Sequence, residues 1–285
     1  MLLITGATGN LGGSVVKHLL TKIAKQDFIV TSSNDAGVQR LKSQGLNARL
    51  ADFSHPDTLV DAFQGVDKVL LVSTMDPARL EQHKNVIDAA KSAGVQTIVY
   101  TSLAIQDIET SGVRDLMISH FQTEDYLKES GLNYTILRNT MYADALQQIV
   151  GEQAIVRGGF ALPGGEGKVP YALRDEMGEA TANLLLSEVE ENQVFNFTGS
   201  HSYSYAEIAQ ALSEVKDVDI QYSDIEEGAF KAILKENNFP DFAIYLHSGT
   251  ILDIKNRQYE LTDNSLERFL GRPTSTATEF LKKIF

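Results

Sequence analysis

Three glycines, Gly6, Gly9 and Gly12, fall three residues apart in "ITGATGNLGG" (residues 4–13). A short apolar run, Leu2 to Ile4, precedes them, and Val15, Val16, Leu19 and Leu20 recur behind them at helical spacing. A strand that turns through phased glycines into a helix makes a cradle for the pyrophosphate of a dinucleotide. Gly6 permits the tight turn, Gly9 lets the backbone approach the pyrophosphate, and Gly12 lets the helix pack close to the strand. The free N–H groups and the dipole at the helix start then favour an anion. The spacing is G-x-x-G-x-x-G rather than G-x-G-x-x-G, so the common dehydrogenase pattern is not met. Gly13 and Ser14 stand where a Walker loop needs Lys-Ser or Lys-Thr. The plain alternative is a structural turn with no ligand; strand, glycines and helix in series favour the cradle.

Other chemistry is narrowed by composition. There are no cysteines, which excludes disulfides, thiolate nucleophiles and Cys-ligated metals. The six histidines are scattered without an H-E-x-x-H or similar cluster, so no metal site is expected. A formal net charge of -13 argues against a nucleic-acid partner, whose phosphates need a basic face. A small anionic cofactor needs only local donors and stays compatible. No apolar run approaches membrane-spanning length, and Leu2 to Ile4 follow Met1 with no basic n-region, so neither membrane insertion nor a signal peptide is expected. The cytoplasm is the simplest location, and a homodimer is left open.

The elements that must position this chemistry alternate along the chain. Strands are expected at 28–31, 46–53, 67–74, 96–102 and 133–139 after the first at 2–4, with helices near 36–44, 56–63, 79–93 and 119–129 between them. Nearly continuous apolar strands separated by helices imply a parallel sheet covered on both faces. The expected fold is therefore α/β: a Rossmann-type doubly wound parallel sheet over 1–150, with a smaller C-terminal α/β lobe over 151–285, parts of which return to the main sheet. The stretch "RGGFALPGGEGKVPY" (157–171) reads as loops with short strands, and helices follow near 174–186, 205–214 and 229–236. This lobe is expected to close over the cofactor edge. Ligands of such sheets bind at the carboxyl ends of strands, so Gly6, Ser32, Asp52, Ser73, Thr101, Arg138 and their neighbours are where chemistry is sought.

The segments "TGATGNLG", "ADF", "LLVST", "HKNVIDAAKSAGVQTIVYTS" and "LNYTILRNTMYAD" occur in the order found in NmrA-like proteins. These are atypical members of the short-chain dehydrogenase/reductase superfamily, and the chain most resembles their bacterial type 2 NAD(P)H:quinone oxidoreductases. The resemblance implies that Gly6, Thr8, Gly9, Asn10, Leu11 and Gly12 wrap the pyrophosphate. It implies that Asp52 and Phe53 lie beside the adenine, that Ser73 and Thr74 follow the linking phosphate and ribose, and that Thr101 and Ser102 line the nicotinamide end. Asn139 and Tyr142 would form the nicotinamide-side wall of the substrate cleft. Each has a plainer alternative: Asp52 and Ser73 as caps of the next helix, Tyr142 as ordinary core.

Two departures from the family shape the expectation. Short-chain dehydrogenases use a Tyr-x-x-x-Lys pair, and none of the ten tyrosines here has a lysine four residues later. The corresponding helix positions carry His120 and Glu124, readable as a hydrogen-bonded surface pair or as a ribose contact and proton relay. Alcohol oxidation by a tyrosinate is thereby disfavoured, whereas hydride transfer to a quinone asks mainly for orientation. After the second strand, Ser33 stands where the family often has an arginine for the 2′-phosphate, and no acid ends that strand to hold NAD ribose. Ser32, Ser33 and Asn34 are the expected 2′-phosphate contacts, with NADP preferred narrowly over NAD and Asp35 a turn or cap residue. The expected function is hydride transfer from NAD(P)H to quinones or related electrophilic carbonyl compounds. The competing readings are an NAD(P)-binding redox sensor without turnover and, less well supported, a sugar-nucleotide epimerase.

Overall fold

The structure, a computed structural model, describes residues 1–285. Strand and helix alternate strictly at first: β1 (Leu2–Ile4), α1 (Asn10–Leu19), β2 (Phe28–Ser32), α2 (Asp35–Ser43), β3 (Asn47–Leu50), α3 (Pro56–Ala62), β4 (Lys68–Leu71), α4 (Arg79–Ser92), β5 (Thr97–Leu103), α5 (Arg114–Glu129) and β6 (Asn133–Asn139). Then come α6 (Leu146–Val150), α7 (Gln153–Arg157), β7 (Gly159–Leu162), β8 (Lys168–Val169), α8 (Arg174–Leu186), β9 (Gln193–Phe197) and β10 (Tyr203–Ser204). The chain finishes with α9 (Tyr205–Lys216), β11 (Gln221–Asp224), α10 (Glu227–Glu236), α11 (Asp241–Lys255), α12 (Ser265–Leu270) and α13 (Ala277–Ile284). No helix is long and apolar enough to cross a membrane.

The main sheet has seven strands in the order β3-β2-β1-β4-β5-β6-β9, and the first six pair in parallel. The order reverses direction between β1 and β4, which opens the ligand crevice of a doubly wound sheet above their carboxyl ends. All five residues of β2 are buried, as a strand covered on both faces requires. On one face Leu3, Val69, Ile98, Tyr100 and Ile136 pack with Leu59 of α3, Phe63 just after it, and Val86 and Ile87 of α4. The Cβ of an alanine at Gly178 would lie 2.2 Å from the Ser14 hydroxyl oxygen, so α8 and α1 are in close contact.

The chain forms two compact units that interleave. The first holds Met1–Leu103, Ser119–Asn139 and Arg174–Phe195; the second holds Ala104–Ile118, Thr140–Leu173 and Asn196–Phe285. α8 and most of β9, which lie beyond residue 150, belong to the first unit. In the second unit β7 pairs in parallel with β11 and β8 antiparallel with β10. Its buried Asp253 accepts hydrogen bonds from the Ser111 hydroxyl and the Gly112 N–H, both at 2.6 Å.

Two expected strands end early. The 46–53 segment leaves the sheet after Leu50 and the 67–74 segment after Leu71. The Asp52 carboxylate takes the Ser54 N–H at 2.9 Å, and the Ser73 N–H turns to the Thr101 hydroxyl at 2.9 Å. In both segments backbone N–H groups exchange ladder bonds for side-chain acceptors.

The glycine turn itself yields a test. A Cβ on Gly12 would sit 2.3 Å from the Gly6 carbonyl oxygen, whereas one on Gly13 meets nothing nearer than 3.4 Å. Gly12→Ala should lose about 1 to 3 kcal/mol in urea unfolding, the scale of core overpacking. Gly13→Ala, inside α1, should be neutral or stabilising because alanine favours the helix. Equal behaviour of the two variants would contradict the close approach.

Candidate cofactor and active site

The candidate cofactor residues of the first unit all lie at or just beyond the carboxyl ends of strands. Gly6 takes φ +61°, and the Gly9 N–H closes the turn onto the Gly6 carbonyl at 2.9 Å. Gly9 is the N-cap of α1 and supplies no side-chain cap, and no acid stands in the first helical turn. The leading N–H groups of α1 are therefore free of a competing carboxylate, with Thr8, Gly9 and Asn10 exposed beside them and Leu11 and Gly12 buried. An anion such as a pyrophosphate fits this start.

At the end of β2, the buried Ser32 hydroxyl has no hydrogen-bond partner and lies against α2, where a Cβ on Gly37 would stand 2.0 Å from it. An unsatisfied buried hydroxyl beside the exposed Ser33 suits a ligand oxygen. Asn34 is largely committed elsewhere: its side-chain oxygen caps α2 by accepting the Gly37 N–H at 2.8 Å. Its NH2, the group able to donate to a phosphate, is not used by that cap. Asp35 is the first residue of α2.

Neither Asp52 nor Ser73 caps a helix. The Asp52 carboxylate is held by the Ser54 N–H and, at 2.9 Å, by His55 Nδ1, while the N-cap of α3 is His55 and that of α4 is Ala78. Phe53 is buried with its ring 6.4 Å from that of His83. The Thr74 hydroxyl donates to Gln82 Oε1 at 2.9 Å, and the Thr74 carbonyl accepts from Arg79 Nε at 2.6 Å.

His120 and Glu124 are not a surface pair, and they do not bond each other. Both are buried, and from the same face of α5 His120 meets β5 while Glu124 meets β5 and β6. His120 Nδ1 lies 2.9 Å from the Tyr100 hydroxyl on β5. The Glu124 carboxylate receives the Ser102 hydroxyl at 2.6 Å and a two-pronged grip from Arg138, Nε at 2.9 Å and Nη2 at 2.6 Å. Ser102 and Arg138 are register partners on β5 and β6, so Glu124 closes over one rung of the sheet. A carboxylate this buried requires such partners. The reason for the difference from a surface pair is the sheet: the i, i+4 spacing puts both side chains on the face that α5 turns inward.

The sequence did not single out Arg79, His83 or Tyr100. Arg79 is fully buried and donates to the Ser119 hydroxyl at 2.8 Å; His83 Nδ1 lies 3.1 Å from the Thr123 hydroxyl. Burial, and then the positive Arg79 nearby, lowers the His83 pKa to about 3. The same two causes, with His83 third, hold His120 well below the ordinary histidine range, so both imidazoles stay neutral near pH 7. Arg79 and His83 occupy positions i and i+4, with Val86 and Ile87 next on the core face of α4. A polar residue repeated on an apolar stripe was the available signal.

Asn139 ends β6 and is buried. Tyr142 belongs to the second unit, where it is half-buried and bridges in parallel to Ala172, so it is not ordinary core. No group of three or more His, Asp or Glu side chains is placed to hold a metal ion.

Comparison with known proteins bears on this site. Residues 1–263 match the NmrA-like family. Quinone oxidoreductase 2 of Escherichia coli (strain K12) is 33% identical over 100% of this chain and 99% of its own. Its crystal structure in complex with NADPH superposes with a TM-score of 0.92 at 32% identity, covering 100% of both chains. The NADP(H) complex of Citrobacter sp. triphenylmethane reductase gives 0.91 at 29% identity, again covering 100% of both chains. An NAD(P)H azoreductase of Xenophilus azovorans is 27% identical over 99% of this chain and 97% of its own. Sheet order, glycine turn and full-length similarity agree: the chain belongs to the NmrA-like family.

Proposed function

We propose that this protein is an NAD(P)H-dependent oxidoreductase that passes a hydride to quinones or related electrophilic carbonyl compounds, working in the cytoplasm. The observation that carries the reading is the uncapped start of α1 above the Gly6–Gly12 turn, in a chain 33% identical along its length to a quinone oxidoreductase. Gly6, Thr8, Gly9, Asn10, Leu11 and Gly12 would hold the pyrophosphate. Ser32, Ser33 and the Asn34 NH2 would take the 2′-phosphate of NADP, Asp52 and Phe53 would flank the adenine, and Ser73, Thr74, Thr101 and Ser102 would follow the chain of the cofactor to its nicotinamide. When bound, the nicotinamide supplies the hydride.

Positioning falls to the protein. The Asn139 amide would orient the carboxamide or a quinone oxygen, and the Tyr142 ring would pack on the substrate while its hydroxyl donates to it. His120 stays neutral and tied to Tyr100, supporting β5 instead of delivering a proton. With a simple benzoquinone, Asn139→Ala and Tyr142→Phe should each lose roughly ten- to a hundredfold in kcat/KM, the scale of a lost orienting contact. His120→Ala should lose less. Abolition of turnover by His120→Ala alone would make His120 the replacement for the missing tyrosine. NADPH binding without quinone reduction in the native protein would favour the sensor reading.

The pH dependence has a definite sign. Because the His83 and His120 pKa values are lowered, neither ring changes charge between pH 6 and 8, so kcat should be flat across that range. A limb near pH 6.5 would mean that an imidazole titrates in the catalytic step. Cofactor choice has its own test. Ser33→Arg should strengthen NADPH binding by about 1 to 2 kcal/mol, the scale of one charge-assisted hydrogen bond, and leave NADH unchanged. Tight native selection for NADPH with no gain in the variant would contradict the assignment of Ser33.

A further inference from the structure

The second unit contains a cavity of about 510 Å³, walled by α6, α7, β7, β11, α10 and α11. None of the residues assigned above to cofactor or quinone lines it. Its wall is largely apolar, with Ile149, Leu162, Phe230, Leu234, Phe239 and Ile251 among the side chains facing in. Size and lining match those of small-molecule sites, which run from about 300 to 1,000 Å³. Ile233 and Phe239, both lining residues, are each 42% exposed, so apolar surface here remains in contact with water. Such a surface is stabilised by an apolar occupant.

Charge selects among apolar occupants. The chain carries 38 acidic residues in 285, yet none of the twenty lining residues is acidic. The one fixed charge is Arg157, the last residue of α7, whose exposed guanidinium makes no ion pair and no hydrogen bond. His247 also lines the cavity, edge-on to Phe239 at 5.9 Å between centroids, and burial lowers its pKa so that it adds no second charge at neutral pH. A wall without carboxylates and with one unengaged guanidinium, in a strongly acidic protein, is complementary to a single negative charge.

We propose that this cavity is a second ligand site, which takes an apolar molecule bearing one carboxylate, its chain between α10 and β7 and its carboxylate on Arg157. The site shares no lining residue with the cofactor cradle, so its test does not depend on quinone reduction. Isothermal titration of the full chain with dodecanoate, dodecan-1-ol and dodecylammonium, each below its aggregation threshold, compares charge at constant chain length. Dodecanoate should bind saturably at one site, about tenfold more tightly than the alcohol, the difference expected of one charge-assisted contact. The ammonium should be weakest.

Arg157→Gln should erase the advantage of dodecanoate over the alcohol, and Arg157→Lys should retain most of it. Arg157 is exposed, so these variants remain folded, and NADPH affinity should be the same in all of them. Phe239→Ser should weaken carboxylate and alcohol alike by severalfold. The proposal is overturned by an absence of saturable binding, by equal affinity for the three probes, or by a carboxylate preference that survives Arg157→Gln. Sedimentation of the ligand-free protein closes the remaining route: a dimer dissociated by Phe239→Ser, with no dodecanoate bound, would assign the apolar face to a second copy of the chain.

Discussion

The close approach of α1 to the turn after β1 is the constraint on which the first unit depends. The Gly12 backbone fits against the Gly6 carbonyl only because no Cβ intervenes, since one would lie 2.3 Å from that oxygen. β1 stands in the middle of the sheet, paired to β2 on one side and β4 on the other, so the position of α1 is fixed relative to both halves. The same closeness aims the uncapped helix start at the crevice where the strand order reverses. The glycine turn thus combines a backbone-to-backbone approach that admits no side chain with an uncapped helix start suited to an anion. The Ser14–Gly178 contact extends that packing to α8, which returns from much later in the chain.

A second consequence of the sheet is the polar layer beneath α5. Two of its residues, His120 and Glu124, are buried and hydrogen-bonded to the sheet. Glu124 is 1% exposed and is satisfied by Ser102 and the two-pronged Arg138, with Lys128 Nζ 3.5 Å away. Removing Arg138 would take from the buried Glu124 its two-pronged partner, which is costly because a carboxylate held from water must be paired. His120, Tyr100, Thr123 and His83 fill the neighbouring space with neutral hydrogen bonds. The carboxyl ends of β5 and β6 are thereby held rigid, which is what a site that works by orientation requires.

The parallel sheet was legible because its strands are apolar on both faces and its helices carry clear stripes: β4 lies inside the stretch read from the sequence, and β2 and β5 overrun theirs by one residue. The glycine turn was legible because its function needs a particular spacing. Less could be read where tertiary structure decides. The i, i+4 relation of His120 and Glu124 was visible, but which face α5 buries was not, so their separate partners Tyr100, Ser102 and Arg138 were hidden. Asn34 offers an amide that serves equally as a cap or a phosphate ligand, and the nearby Gly37 N–H settles the use of its oxygen. Which later elements return to the first unit, α8 and most of β9, leaves no local mark, and α11, α12 and α13 lie in a region whose pattern is too irregular to assign.

The central claim is that this site works by orienting a hydride donor and acceptor, with no protein proton in flight during the chemical step. Single-turnover reduction of a benzoquinone by NADPH deuterated at the transferred position of C4, measured in H2O and in D2O, tests it most directly. Orientation-driven transfer predicts a clear primary isotope effect from the deuterated cofactor and a solvent effect close to unity. A large solvent isotope effect that multiplies with the first would place a proton transfer from the protein in the same transition state, and would contradict the assignment of His120 and Glu124 to structure alone.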